Sequence, residues 1–213
     1  MANKAQRFWD KKAKKYDDSE RQFEPVFNEV IAKTKKYLDS NDNVLDFGCA
    51  TGTKSLNLAS AVKHIHGLDI SDEMVKEAIK KTHEANIMNC SFSQGTIFKD
   101  DLVKASFDKI ISYSVIHLLE DSEKEIQRIH ELLKPGGLFI STIACFKDKM
   151  ALKNRLEFST YLIMKRFGIF PLHLNIFNTV DVEKLIENQN FKIVESDKIF
   201  HGITASFIVA RKA

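Results

Sequence analysis

Two carboxylates and two glycines stand where a nucleoside-like ligand could bind. Asp46 closes a short apolar run and is followed by Gly48 and Gly52. Glycine lets the backbone bend tightly and admits a ligand without a Cβ in the way, and a helix beginning at Thr53 would offer free N–H groups. Asp69 closes the next apolar run, and a carboxylate there can accept both hydroxyls of a ribose. The alternatives are an ordinary strand–turn–helix corner and an acid that stabilises the following helix dipole.

The elements that must position these residues alternate along the chain. Two helices are predicted in the first forty residues, and further helices at 53–62, from Ser71, at 121–133 and at 179–189. Strands are predicted at 43–47, 64–68, 89–93, 107–113, 138–144, 191–195 and 203–210. This rhythm indicates a doubly wound α/β fold: a seven-stranded, mostly parallel sheet with a C-terminal antiparallel hairpin and N-terminal helices. Such a sheet binds ligands beyond the carboxyl ends of its strands.

The bulk properties favour one soluble domain and argue against nucleic acid as a partner. The 213 residues suit a single α/β domain over 1–213. The net charge of +3, from 32 basic and 29 acidic residues, is too mild to indicate nucleic-acid binding. The one basic cluster, at 11–15, is interpreted as a solvated helix face, with a phosphate or anionic-membrane contact as the alternative.

The sequence predicts neither a targeting segment nor a metal site. We expect no secretory signal, no membrane span and a cytoplasmic location. Cys49, Cys90 and Cys145 lie far apart in the sequence, which argues against structural zinc, an iron–sulfur cluster or a disulfide framework. No local carboxylate–histidine cluster suggests a metal, so no metal is expected.

Taken in order, several segments resemble one family. Residues 46–52 (Asp-Phe-Gly-Cys-Ala-Thr-Gly) are similar to the first motif, and 67–71 to the second, acidic motif, of class I S-adenosylmethionine (SAM)-dependent methyltransferases. The segments at 107–117 and 132–138 resemble the fourth-strand motif and the turn before the fifth strand. Phe8 to Ala13, followed by Tyr16-Asp17, is similar to the opening of many small-molecule members (the methyltransferase domain 11/25-like type). The resemblance covers nearly the whole chain.

One departure is Ala50, which replaces the middle glycine of the family's first motif. Alanine is the mildest replacement, so the tight backbone approach should survive. The same loop does not match the Gly-x-Gly-x-x-Gly pattern of dinucleotide-binding proteins.

The resemblance implies SAM as cofactor, with S-adenosylhomocysteine (SAH) as product, and roles for individual residues. The loop from Gly48 to Gly52 would approach the amino-acid half of SAM, and Asp46 would orient its ammonium. Asp69 would take the ribose hydroxyls. Ser112, Ser114 and Val115 would lie beneath the methyl, and Tyr16 would close the site. The remaining implied cofactor-binding residues are Cys49, Ala50, Ile70, Met74, Gly95, Thr96 and Ile97. Plain packing is the alternative for Tyr16, Ile70 and Ile97.

Methyl transfer asks little of side chains, because positioning and exclusion of water can supply most of the acceleration. An oxygen or nitrogen acceptor can require a proton to be removed. His117 follows the fourth strand, and we take it as the candidate base. A structural histidine is the alternative.

The residues that select the substrate are expected in two segments above the scaffold. These are an N-terminal helical cap at 1–40 and a cap insertion at 146–178. In the insertion, Leu152, Leu156, Ile163, Phe167 and Phe170 fall on one helical stripe. We interpret the stripe as a face packed on the domain. The alternative is a cap over an apolar or aromatic acceptor, and the accompanying Lys and Arg residues also permit an anionic substrate or membrane surface.

We therefore expect a small-molecule acceptor, which could be hydrophobic or aromatic. The protein is expected to be a monomer or a homodimer and not to insert stably into a membrane. The fourth-strand segment lacks the Asp/Asn-Pro-Pro-aromatic motif of base-amino methyltransferases, and no basic-aromatic RNA-binding module is present. Two other functions stay open. One is a non-catalytic SAM-binding or partner-binding protein of this fold, and the other is an NAD(P)-dependent oxidoreductase.

Overall fold

The computed structural model describes residues 4–167, 169 and 171–213. Its strands are β1 (Asn43–Phe47), β2 (His64–Asp69), β3 (Cys90–Gln94), β4 (Phe107–Tyr113), β5 (Leu133–Ala144), β6 (Phe191–His201) and β7 (Ile203–Lys212). Its α-helices are α1 (Lys4–Lys12), α2 (Tyr16–Glu20), α3 (Glu24–Lys35), α4 (Thr53–Leu58), α5 (Asp72–Glu84), α6 (Ser122–Leu132), α7 (Leu152–Arg166) and α8 (Thr179–Glu187).

Within the described residues the strands form one seven-stranded sheet in the order β3-β2-β1-β4-β5-β7-β6. The first five strands in the chain pair in parallel, whereas β7 pairs antiparallel with both β5 and β6. This arrangement confirms the predicted fold. The chain leaves β1 on one side for β2 and β3 and returns on the other side as β4. Strand order therefore reverses between β1 and β4, which opens a crevice at their carboxyl ends.

The core covers both faces of the sheet. Adjacent residues Val44 and Leu45 of β1 are fully buried but belong to two different apolar clusters. Ile110 and Ile111 of β4 divide in the same way. Successive side chains of a strand point to opposite faces, so central strands read as continuous apolar runs when helices cover both sides. The sheet is thereby a rigid platform for the residues at its carboxyl ends.

Several predicted boundaries shift for local reasons. β5 begins at Leu133, before the predicted Leu138, because Leu133 pairs with Phe107 across an irregularity in the ladder. β6 runs on to His201, since its polar residues after Glu195 pair along β7 at the sheet edge. The predicted helix at 53–62 ends as an α-helix at Leu58 and continues as a 3₁₀ turn. The helix predicted from Ser71 is α5, which begins at Asp72 with Ser71 as its cap: Met74 N–H donates to Ser71 Oγ at 3.2 Å.

The prediction that the apolar stripe of the insertion packs on the domain is wrong for the residues described. Leu152, Leu156, Ile163 and Phe167 are 58 to 74% exposed. Instead α7 rests on the domain through its opposite face, where the Phe158 ring stacks on Phe146 at 4.7 Å. Phe170 lies outside the described residues. None of the described helices is long and apolar enough to cross a membrane.

Candidate functional site

A cavity of about 560 Å³ lies at the carboxyl ends of β1, β2 and β4. Its floor is the sheet edge and the loop after β1, and its roof comes from α1, α2 and the segment 171–173. Nine predicted cofactor-binding residues line it: Tyr16, Gly48, Ala50, Asp69, Ile70, Met74, Thr96, Ser114 and Val115. The fold thus brings together residues that are distant in the sequence.

Asp69 is held at the cavity wall by backbone donors on both carboxylate oxygens. Ala50 N–H donates to Oδ2 at 2.9 Å, and Ser71 N–H donates to Oδ1 at 2.9 Å. Burial is the main influence on this carboxyl and raises its pKa. Each carboxylate oxygen has a second lone pair, so the group is oriented and can still accept hydrogen bonds from a diol.

Asp46 lies beneath the loop, buried, and accepts a hydrogen bond from Ser55 Oγ at 2.5 Å. Burial raises its pKa to about 6, which outweighs the opposing effects of the Ser55 hydroxyl and of Lys54. It does not line the cavity. The loop therefore separates this carboxylate from the cavity.

The loop after β1 needs glycine for packing as well as for its turn. Gly48 has φ +79°, and a Cβ there would lie 2.2 Å from Val115 Cγ2. Gly52 has φ +74°, and its Cβ would meet Ala78 at 2.8 Å. Ala50 itself adopts φ +48°, a region that costs an L-residue about 1–2 kcal/mol. The predicted tight turn therefore survives the replacement, in a strained conformation that the hydrogen bond to Asp69 supports.

The N-terminal helices are tied down across the site by two acids. Asp10 of α1 accepts from Ser71 Oγ at 2.6 Å. Asp17 of α2 accepts from Thr51 Oγ1 at 2.6 Å and forms an ion pair with Lys81. The loop after β1 and the start of α5 are thereby joined to the roof, which places Tyr16 against the cavity.

The other predicted site residues do not line the cavity. Cys49, Gly52, Ile97 and Ser112 are buried behind it. Gly95 N–H donates to the Asp69 carbonyl at 2.8 Å, which fixes the turn after β3. The candidate base is His117, in a 3₁₀ turn that directs its ring inward against Phe146, 5.8 Å between centroids. Burial lowers its pKa to about 4. The geometry therefore gives His117 no direct access to a ligand in the cavity.

Sequence reasoning missed a second histidine, His173, which does line the cavity. Its Nε2 lies 3.0 Å from Asn175 Oδ1. Asn175 Nδ2 donates to the Leu119 carbonyl at 2.7 Å, which fixes the amide so that Oδ1 faces the ring. Asn175 N–H also donates to the His117 carbonyl at 2.7 Å. A neutral ring in this setting carries its proton on Nε2 and leaves Nδ1 as the acceptor.

The remaining missed residues form the walls of the cavity. They come from α1, from the strand ends, from the turn after β4, from α6 and from the insertion: Lys4, Ala5, Trp9, Phe47, Leu68, Tyr113, Leu118, Leu119, Glu120, Glu125, Pro171 and Leu172. Two sequence signals were available. Trp9 lies in the opening segment that resembles the family, and Leu118 and Leu119 directly follow the fourth-strand segment.

The charge of the cavity suits a cationic ligand. Among its described lining residues Lys4 is the only lysine or arginine, against Asp69, Glu120 and Glu125. Burial, reinforced by Asp121, raises the pKa of Glu125 to about 7. The sulfonium and ammonium of SAM fit this environment, whereas the pyrophosphate of a dinucleotide would meet carboxylates and few cations. The described residues include no group of three or more His, Cys, Asp or Glu that could hold a metal ion.

Comparison with known sequences identifies the family of the chain. The methyltransferase domain family matches residues 38–168. An uncharacterized methyltransferase of Oceanobacillus iheyensis is 30% identical over 67% of this chain and 68% of its own length. A probable SAM-dependent methyltransferase of Mycolicibacterium smegmatis is 23% identical over 86% of this chain and 65% of its own length. The chain thus spans about two thirds of these relatives.

Fold comparison gives the same class. The phosphoethanolamine N-methyltransferase 2 of Haemonchus contortus, solved in complex with SAM, superposes with a TM-score of 0.71 at 18% identity, over 87% of this chain and 52% of that one. The fold and site define a Rossmann-like protein of the class I methyltransferase type. This chain belongs to the SAM-dependent methyltransferase family, and its cofactor is SAM.

Proposed function

We propose that the protein methylates a small-molecule acceptor that has an ionisable O–H or N–H and an apolar or aromatic body, with His173 taking the acceptor's proton. The observation that carries this proposal is the fixed His173–Asn175 pair at the cavity wall. It supplies an oriented base at the wall of the cavity.

The cofactor would be held by the residues at the strand ends. Asp69 would accept the ribose hydroxyls, because its orientation is already fixed by Ala50 and Ser71. Ile70 and Thr96 would border the adenine, and Asp46 would act on the ammonium through the loop. When bound, SAM supplies an electrophilic methyl group. The protein's part is to hold the two reactants in line and to exclude water.

The acceptor would occupy the part of the cavity under the roof. Trp9, Leu118, Leu119 and Leu172 give this part an apolar lining, which suits a ring or chain. Glu120 and Glu125 add negative charge, so a neutral or amine-bearing acceptor fits better than an anionic one. The expectation of a hydrophobic or aromatic acceptor is supported by this lining.

The proton of the acceptor would pass to Nδ1 of His173. The hydrogen bond from Nε2–H to Asn175 sets the tautomer and stabilises the imidazolium that forms, as the orienting group does in other histidine-dependent sites. His117 would act only as a packed residue whose carbonyl helps to anchor Asn175. The role that the sequence analysis assigned to His117 is therefore transferred to His173.

This assignment is tested with a panel of phenols, quinols and amines as acceptors and radiolabelled SAM as donor. With any acceptor that turns over, His173→Ala should lower kcat by about 10²–10⁴, the usual contribution of a general base, without changing the affinity for SAH. Asn175→Ala should lower kcat less and shift the pH profile. The matched control is His83→Ala, at an exposed histidine of α5, which should leave kcat unchanged. A wild-type kcat in His173→Ala would contradict the assignment. So would a loss of kcat in His117→Gln that His173→Ala does not show.

A further inference from the structure

The outer face of α7 carries an exposed apolar surface. Leu152, Leu156, Ile163 and Phe167, here called the outer stripe, are 74, 61, 58 and 72% exposed. Their spacing places them on one side of the helix. Ile169, just beyond the helix, is also 65% exposed.

The helix is apolar on two sides, and among the described residues only the inner side packs against the rest of the domain. Phe158 stacks between Phe146 and Tyr161 on the inner side, and Lys165 Nζ donates to the Leu174 carbonyl at 3.3 Å. A surface helix ordinarily turns a polar face to water. Contiguous exposed apolar residues of this kind mark contact with another phase or molecule.

The charges that flank the outer stripe indicate what that contact is. Lys153 lies on one side of the stripe, and Arg155 and Arg166 lie on the other; all three are exposed. The helix has four basic residues and one acid, Glu157. Glu157 lies 3.9 Å from Lys153 with both side chains mostly in water, an arrangement that stabilises little. An apolar centre with cationic borders is complementary to an anionic lipid surface.

A second copy of this chain would fit the stripe less well. Two copies related by a two-fold axis would bring the same surface patch of each together, and here that would oppose cationic borders. A bilayer containing anionic lipid instead offers apolar chains to the stripe and phosphates to its borders.

The position of α7 connects this surface to the cavity. The chain that follows the helix supplies Pro171, Leu172 and His173 to the cavity wall, and Lys4 of α1 lines the same cavity. The exposed face of α1 adds Arg7, Lys11 and Lys12. Basic residues therefore come from α1 in the roof and from α7 in the insertion.

We propose that the outer stripe of α7 binds peripherally to an anionic phospholipid bilayer, with its cationic borders at the phosphates, and that the cavity takes an acceptor that is dissolved in that bilayer. The first part concerns the surface of α7 alone. The second part rests on the proposed function, since it specifies the acceptor as a lipid-soluble ring or chain.

The test is flotation of the full-length protein with vesicles of phosphatidylcholine, with and without phosphatidylglycerol. The wild type should float with the mixed vesicles and not with phosphatidylcholine alone. Leu156→Asp/Ile163→Asp should lower the partition coefficient by about tenfold or more per side chain. Arg155→Glu/Arg166→Glu should also lower it, and salt should weaken wild-type binding. The matched control is Met88→Asp, because Met88 is 93% exposed and lies before β3; it should bind as the wild type does.

Each other outcome overturns the proposal in a distinct way. Wild-type protein that does not float, or an aspartate variant that floats equally well, excludes the stripe as a bilayer contact. Sedimentation equilibrium that shows a dimer disrupted by the same aspartate pair assigns the stripe to a second copy. SAH titration of every variant separates these results from the proposed function, because the substituted residues lie outside the cavity and SAH affinity should stay constant.

Discussion

Burial determines the chemistry of Asp46 more than its neighbours do. Its carboxyl is enclosed by the sheet and the loop after β1, and its pKa rises to about 6 although Ser55 donates a hydrogen bond to it. The native state therefore holds this proton more tightly than the unfolded chain, where an aspartate titrates near 3.9. The contribution of protonated Asp46 to the free energy of unfolding is therefore greatest at low pH, and it is lost as the pH rises from about 4 to 6.

Asp46→Asn removes this titration and keeps the shape of the side chain and the acceptor for Ser55. We expect the melting temperature of the wild type, measured without ligand, to fall relative to that of the variant between about pH 4 and 6. Above about pH 6 the difference should become constant. Thermal unfolding followed by circular dichroism measures it. A difference that does not change over this range would contradict the burial argument.

At the same scale, the sequence predicted Asp46 and Asp69 at the strand ends and missed His173, which lines the cavity. Asp46 and Asp69 follow apolar strands, and the carboxyl ends of parallel strands meet at one edge, so their neighbourhood could be inferred. His117 also follows a strand, but a 3₁₀ turn rotates it inward. His173 lies in an insertion without a motif, and its partners Asn175 and Leu119 become neighbours only in three dimensions.

At the scale of the element, the loop after β1 is fitted against the end of β4. Gly48 combines a left-handed φ of +79° with contact to Val115, whereas Gly136 has φ +74° and nothing within 4 Å of an added Cβ. Alanine substitutions at the two positions therefore separate two costs: both substitutions introduce backbone strain, and only the one at Gly48 also introduces overpacking. Strain costs about 1–2 kcal/mol, and overpacking adds about 1–3 kcal/mol.

Gly48→Ala should accordingly lower the free energy of unfolding by more than Gly136→Ala does, and should also weaken SAH binding. Gly48→Ala/Val115→Ala should recover part of the binding, since the second change removes the methyl groups that the new Cβ meets. Urea denaturation and calorimetry measure the two effects. Equal losses in Gly48→Ala and Gly136→Ala would mean that contact with Val115 contributes nothing.

The elements themselves were predictable to differing degrees. β1 and β4 match their predicted bounds because a buried parallel strand is a short apolar run with clear breakers. The polar half of β6 was not predicted, since an edge strand is held by backbone pairing that leaves little trace in side-chain pattern. The stripe of α7 was recognised, but its direction depends on which face meets Phe146, and a sequence with apolar residues on both faces does not specify that.

At the scale of the whole molecule, the topology of the sheet determines where the cavity lies, and the distribution of charged side chains determines its electrostatic character. The reversal of strand order between β1 and β4 opens the crevice in which the cavity lies. The alternation of strands and helices predicted the doubly wound fold, but not the order of its strands. The concentration of carboxylates at that point, within a chain of net charge +3, depends on side chains from α6 and from the turn after β4. The overall charge gave no indication of it.

Calorimetric titration of the cofactor-stripped protein with SAH tests both the identity of the cofactor and the role of Asp69, with NADH as the parallel ligand and Asp69→Asn as the variant. We expect saturable one-to-one binding of SAH to the wild type and no binding of NADH. The affinity for SAH should be at least about tenfold lower in the variant, because hydrogen bonds to a charged acceptor are lost. Binding of NADH in place of SAH, or equal SAH affinity in the wild type and Asp69→Asn, would contradict these expectations.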